Sequence, residues 1–197
     1  MKLILSKIKT YFGKLDKLLL FMCMGIACFA VFIQYTLYEN DISSAVTASQ
    51  YKTQIIAFIA GIVIAMALAA INYKYLAKLW FIYVPLAMGL TLLLFTPLGI
   101  QREGADDIGW LDLGIMTIQP SEILKLAFIL SLAVHLSKVE DRMNEPIHFI
   151  LLCIHGAIPT LLIRQTGDDG SALVFLFIFI CMMFAAGLSW KYLVMIA

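Results

Sequence analysis

Long apolar runs separated by short polar connections dominate the chain. Six of them fall near Leu18–Leu37, Thr53–Ile71, Ala77–Leu98, Pro120–Leu136, Ile147–Ile163 and Ser171–Leu188. Each approaches the roughly 20 helical residues needed to cross about 30 Å of hydrocarbon. Lipid offers backbone amides no partner, so a spanning segment must satisfy its own hydrogen bonds. The runs are too long and too uniformly apolar for the alternating strands of a membrane barrel. The pattern therefore predicts an all-α, polytopic transmembrane helix bundle of about six spans, with a seventh beginning at Trp190.

Composition agrees with the pattern. Hydrophobic residues make up 62% of the chain and charged residues 14%, against roughly 45–50% and about 25% in soluble domains. A net charge of +1 gives no basic footprint for nucleic acid. The distribution of basic residues is more informative, because Lys and Arg in short loops are retained in the cytoplasm. With the N-terminus inside, ten basic residues (Lys2, Lys7, Lys9, Lys14, Lys17, Lys74, Lys78, Lys138, Arg142 and Lys191) are cytoplasmic. Three (Lys52, Arg102 and Arg164) are outside, and Lys125 lies within a span. This predicts a multi-pass membrane protein with a cytoplasmic N-terminus. The first apolar run is too long for a signal-peptide core and lacks an A-x-A site, so it reads as an anchored span. No internal repeat or long polar linker divides the chain, and residues 1–197 are expected to form a single membrane domain.

Cys23, Cys28, Cys153 and Cys181 all fall in predicted spans, where a thiol behaves as a small hydrophobe. His135, His148 and His155 lie in or beside the fourth and fifth spans, and no two have the i, i+4 spacing that favours a metal on one helix. Packing or interfacial roles are expected for them, and no metal site.

The chemistry concentrates in two loops. Gly99–Gln119 is acidic, with Trp110, Leu111, Leu113 and Ile115 interleaved among Asp and Gly, as suits a segment at the membrane interface. It leads into Gln119-Pro120-Ser121-Glu122-Ile123-Leu124-Lys125, a helix start with Pro in the first turn and an acid near the exposed amides. Glu122 and Lys125 are three apart and share a helix face. Ionisable groups at membrane depth cost up to about 2.5–3.5 kcal/mol each and usually face protein or water; the alternative is a first-turn acid with a lysine snorkelling to the headgroups. The second loop, Arg164-Gln165-Thr166-Gly167-Asp168-Asp169-Gly170-Ser171, is a tight turn feeding another helix. Asp168 either caps that helix or reaches across to Lys125.

At these residues the chain resembles a known family. Gly109-Trp110-Leu111-Asp112-Leu113-Gly114, followed by Gln119 to Lys125, is similar to the hallmark block of the FtsW/RodA/SpoVE (SEDS) family. Gly167-Asp168-Asp169-Gly170-Ser171-Ala172 is similar to its Pro-Asp-Leu-Gly-Thr-Ser/Ala motif, and Gly187-Leu188-Ser189-Trp190 also matches. The resemblance is weak before Gly99 and strong from Trp110 onward. It implies part of a ten-span peptidoglycan glycosyltransferase that polymerises lipid II, a lipid-linked precursor, beside a class B penicillin-binding protein during elongation, division or sporulation. It also implies that Glu122, Lys125 and Asp168, with Asp169 as the alternate, are functional polar residues near a central cavity, and that Trp110, Asp112, Gln119 and Pro120 belong to the loop motif. It assigns no catalytic residue or cofactor here.

Two departures stand out. Gly109 occupies the place where the family usually has Arg before Trp, and Gln165-Thr166-Gly167-Asp168 replaces Gln-Pro-Asp with one residue inserted. The His-Thr-Asp-Phe context that carries the family's proposed catalytic Asp does not occur in these 197 residues, about half of a family member. The isolated half is therefore expected to be inactive. A lipid-precursor transporter (flippase) and a non-catalytic scaffold of the cell-wall machinery are the alternative readings.

Overall fold

A computed structural model of the chain describes residues 16–40, 48–71, 73–102, 104, 106–114, 117–189 and 191–192. The fold is a polytopic all-α membrane bundle, as expected from the apolar runs. The chain divides into two compact units, residues 1–72 and residues 73–197.

The first unit is a pair of helices, α1 (Lys17–Glu39) and α2 (Ala48–Ala70). Asp16 starts α1 by accepting a hydrogen bond from the Leu19 amide at 3.0 Å, satisfying one of the four orphan donors of a helix N-terminus. Near the other end of α1, Tyr38 stacks on Tyr51 of α2, with ring centroids 6.3 Å apart and planes 4° from parallel. Tyrosines suit this depth because the ring packs in apolar surroundings while the hydroxyl reaches water.

The second unit begins with α3 (Tyr73–Lys78) and α4 (Trp80–Leu92), which interrupt at Leu79 the span expected at Ala77–Leu98. A single 3-10 turn at Leu93–Phe95 ends it three residues early. The reason is Pro97, whose ring disfavours helical geometry in the residue before it; Thr96 is accordingly extended, with φ −104° and ψ 172°. Three further helices follow, α5 (Pro120–Val139), α6 (Pro146–Gln165) and α7 (Asp169–Ala185). The proposed start of a seventh span at Trp190 lies outside the described residues. Among the described residues, three helices are by length and composition sufficient to cross a membrane, Lys17–Glu39, Tyr51–Ala69 and Pro146–Gln165, while Trp80–Phe95 and Asp169–Ala185 are shorter apolar helices.

Helices α4 to α7 pack as sequential neighbours, and α5 also touches α7. Their shared core contains Phe128, Leu132, Leu152, Phe175, Phe179 and Met183, all buried. Between helices in lipid the driving force is close packing rather than escape from water, which favours small residues at contacts. Gly156 of α6 is one: a Cβ there would lie 2.6 Å from the Phe179 ring of α7. Helix α7 ends in a glycine turn, with Gly187 at φ +90° and the Leu188 amide donating back to the Met183 carbonyl at 3.1 Å, the left-handed cap that glycine adopts most readily.

Candidate functional site

One end of the second unit gathers both polar loops. The Gly99–Gln119 segment, read from sequence only as an interfacial loop, folds into a three-stranded antiparallel sheet: β1 (Gly99–Ile100), β2 (Trp110–Asp112) and β3 (Thr117–Ile118). Leu111 pairs with Gly99 on one side and Ile118 on the other, and its side chain is fully buried. Trp110 is clamped from outside by Arg102, whose guanidinium lies 3.5 Å from the ring centroid, a cation–π contact. Asp112 accepts the Gly114 amide at 2.8 Å, so its carboxylate shapes the turn toward β3.

The sheet is tied to the second loop. The Ile108 amide donates to the Thr166 carbonyl at 2.9 Å, while the buried Thr166 hydroxyl donates to Ile163 at 2.7 Å. Gly167 follows at φ +88°, and a Cβ on it would approach the Asp107 Cα at 3.3 Å. Asp107 also covers Gly109: a Cβ at 109 would strike the Asp107 carboxylate and reach 3.9 Å from Gln119 Nε2. Thus Asp107, Gly109, Gln119 and Gly167 form one cluster, and the glycine that departs from the family pattern makes room for an acid.

Helix α5 leaves this cluster. Gln119 is its N-cap in extended geometry with no side-chain cap bond, and Pro120 occupies the first turn. The Lys125 ammonium lies 2.6 Å from the Glu122 carboxylate. Ser121 is 3% exposed, and its hydroxyl has no hydrogen-bond partner. Of the two roles open to Asp168, the structure shows capping: its carboxylate accepts the Ser171 amide of α7 at 2.7 Å. Asp169 instead pairs with Arg164 at 3.6 Å, both side chains being largely exposed. Two helix N-termini, each with an acid, and one sheltered lysine therefore meet at the same end of the bundle. Helix N-termini and a lysine attract anions, and the carboxylates hold that charge in check.

The structure brings Glu122 and Lys125 together and ties the Asp168 turn to the sheet bearing Trp110 and Asp112. It does not pair Asp168 with Lys125. Sequence reasoning gave no role to Asp107, Ser121, Thr166 or Arg102, which the structure places at this end of the unit. Their positions depend on how the loops dock, which no local pattern in the sequence signals.

The three histidines meet their packing expectation. His135 of α5 and His155 of α6 face each other with Nδ1 atoms 3.1 Å apart, and His155 Nε2 lies 3.0 Å from the Ser131 hydroxyl. His148 lies 3.6 Å from Glu145. Among the described residues no cluster could hold a metal ion.

Residues 14–197 match a family model described as a cell cycle protein and built on FtsW, RodA and SpoVE. The chain is 31% identical over 191 residues to the probable peptidoglycan glycosyltransferase FtsW of Geobacter sp. (strain M18), covering 90% of this chain and 49% of that protein. It is 26% identical over 188 residues to the peptidoglycan glycosyltransferase MrdB of Escherichia coli (strain K12), covering 93% and 47%. The crystal structure of the Thermus thermophilus rod shape determining protein RodA superposes with a TM-score of 0.64 at 25% identity, over 86% of this chain and 55% of that one. A chain from a peptidoglycan synthase complex gives 0.71 at 23% identity, over 89% and 49%, a likeness of fold. The chain thus spans about half the length of the relatives it matches.

Proposed function

The chain belongs to the FtsW/RodA/SpoVE family, and on that premise we propose that it is the N-terminal half of a peptidoglycan glycosyltransferase that polymerises lipid II during elongation, division or sporulation. The observation that carries the reading is Lys125, a sheltered cation near the start of α5, on the same helix end as a buried Ser121 hydroxyl that has no hydrogen-bond partner. A membrane helix bears the cost of such a group when it serves a polar ligand. Lipid II carries a pyrophosphate on an apolar tail, and an ammonium with exposed helix amides suits that charge.

In this reading the loop-bearing end faces outward and the N-terminus lies in the cytoplasm of a bacterium, as the ten-to-three bias of basic residues favours. Glu122 orients the Lys125 side chain, while Asp168, with Asp169 as the alternate, holds the second helix start against the donor site. Residues 1–197 act as one membrane domain. Polymerisation takes place beside a class B penicillin-binding protein, and the catalytic carboxylate is supplied from outside these residues.

The test is an assay of lipid II polymerisation in liposomes, using the complete gene product with its penicillin-binding partner. Glycan chains that disappear in a Lys125→Ala variant of normal abundance support the reading. Undiminished polymerisation by that variant removes its basis.

A further inference from the structure

At the end of the second unit opposite the polar loops, a groove of about 460 Å³ runs between α3 and α5. Two lysines line it, Lys78 as the last residue of α3 and Lys138 in the last turn of α5. Lys138 is about 27 Å from Pro120 along α5 at 1.5 Å per residue, close to the roughly 30 Å of a hydrocarbon layer. The lysines therefore lie at headgroup depth. Trp80, which opens α4, has its ring centroid 5.8 Å from the Lys138 ammonium, and an aromatic of this kind belongs at the same level.

Helix periodicity grades the groove from apolar to charged. Leu130, Ala133, Val134, Ser137 and Lys138 of α5 line it, at the i, i+3, i+4, i+7 and i+8 spacing of one helix face. The stripe runs about 12 Å at 1.5 Å per residue, from Leu130 within the hydrocarbon to the ammonium of Lys138. Glu140 and Asp141 follow α5 in the next turn, yet among the described residues no carboxylate pairs with Lys78 or Lys138. The groove thus carries two like charges at one end, no counter-charge, and an apolar wall below them.

Charge and depth together select the occupant. A soluble anion satisfies the two ammoniums and leaves the apolar stripe unfilled, whereas a neutral lipid fills the stripe and leaves the two charges without a partner. An anionic phospholipid meets both demands, and basic pockets between membrane helices bind such headgroups for this reason. We propose that this groove holds an anionic phospholipid, its phosphate on Lys78 and Lys138 and an acyl chain along Val134 and Leu130. In the orientation proposed above, that lipid belongs to the cytoplasmic leaflet.

The site is independent of the transferase reading and is tested without activity. The complete gene product in neutral detergent is titrated with dioleoyl phosphatidylglycerol or dioleoyl phosphatidylcholine, and bound lipid is counted by native mass spectrometry. Wild type takes up phosphatidylglycerol saturably and in preference to phosphatidylcholine, and free glycerol phosphate does not displace it. One lysine still attracts the phosphate when the other is lost, so both are replaced. Lys78→Gln with Lys138→Gln weakens binding about thirtyfold, a factor of about five for each lysine. Lys78→Arg with Lys138→Arg retains it, and so does Arg142→Gln with Lys191→Gln, which removes two charges of the same end that do not line the groove. Any of four results overturns the proposal: no saturable, headgroup-selective binding, as when a carboxylate from the rest of the gene product occupies the groove; displacement by glycerol phosphate; an equal loss in the Arg142 and Lys191 control; or unchanged binding in the glutamine pair with normal thermal unfolding.

Discussion

Lys125 and Glu122 touch at 2.6 Å, yet the lysine side chain is 19% exposed and the carboxylate 60%. The pair is lopsided: water screens the acid while the ammonium is sheltered by protein. An exposed i, i+3 partner contributes little by itself, on the order of 0.2–0.5 kcal/mol. The proposed function gives the shelter of Lys125 a purpose that this ion pair alone does not.

Lys125→Ala is therefore expected to cost function an order of magnitude more than Lys138→Ala. Lys138 is an exposed lysine in the last turn of α5, with Trp80 5.8 Å away. Complementation of a strain depleted of its own family member, at matched protein levels, makes the comparison. Equal tolerance of both substitutions sinks the polar-site idea.

The same contrast shows where sequence was informative. Apolar runs reveal spans because hydrocarbon forces every backbone group into a helix, so α1, α2, α5, α6 and α7 lie within a few residues of their expected places. Strands of two or three residues carry no readable period, so the sheet around Leu111 was invisible. Glu122 and Lys125 were legible because one helical turn joins them. Asp107 at Gly167, and His155 at His135, were not, because those contacts depend on docking between segments far apart in the chain.

Gly167 carries two constraints at once, a φ of +88° and an Asp107 Cα that a Cβ would approach at 3.3 Å. Gly167→Ala is expected to destabilise the second unit by about 1–2 kcal/mol for the left-handed backbone alone, with further loss from displacing the loop. Gly170→Ala, whose Cβ would meet only the Asp168 carboxylate at 3.6 Å, is expected to be near neutral. Thermal unfolding in detergent distinguishes them, and equal midpoints contradict the docking of the two loops.

At the contact between α6 and α7, Gly156→Ala forces a methyl against the buried Phe179 ring. Overpacking of this kind costs about 1–3 kcal/mol. Phe179→Leu alone leaves a void, but in combination it gives the methyl room, so the double variant is expected to be more stable than the sum of the single losses predicts. Strict additivity in a double-mutant cycle argues against the close approach.

Asp168 and Asp169 differ in a way that separates structure from chemistry. Asp168 caps α7 at 2.7 Å, whereas Asp169 reaches only Arg164 at 3.6 Å in the open. Asn caps a helix about as well as Asp, while Ala loses about 1 kcal/mol. Asp168→Asn is thus expected to keep the unfolding temperature and lose complementation, because it removes only the charge. Asp168→Ala loses both, and Asp169→Asn changes neither. Should Asp168→Asn complement fully, the residue is a cap and nothing more. If Asp169→Asn fails while retaining normal stability, the functional carboxylate is the neighbouring one.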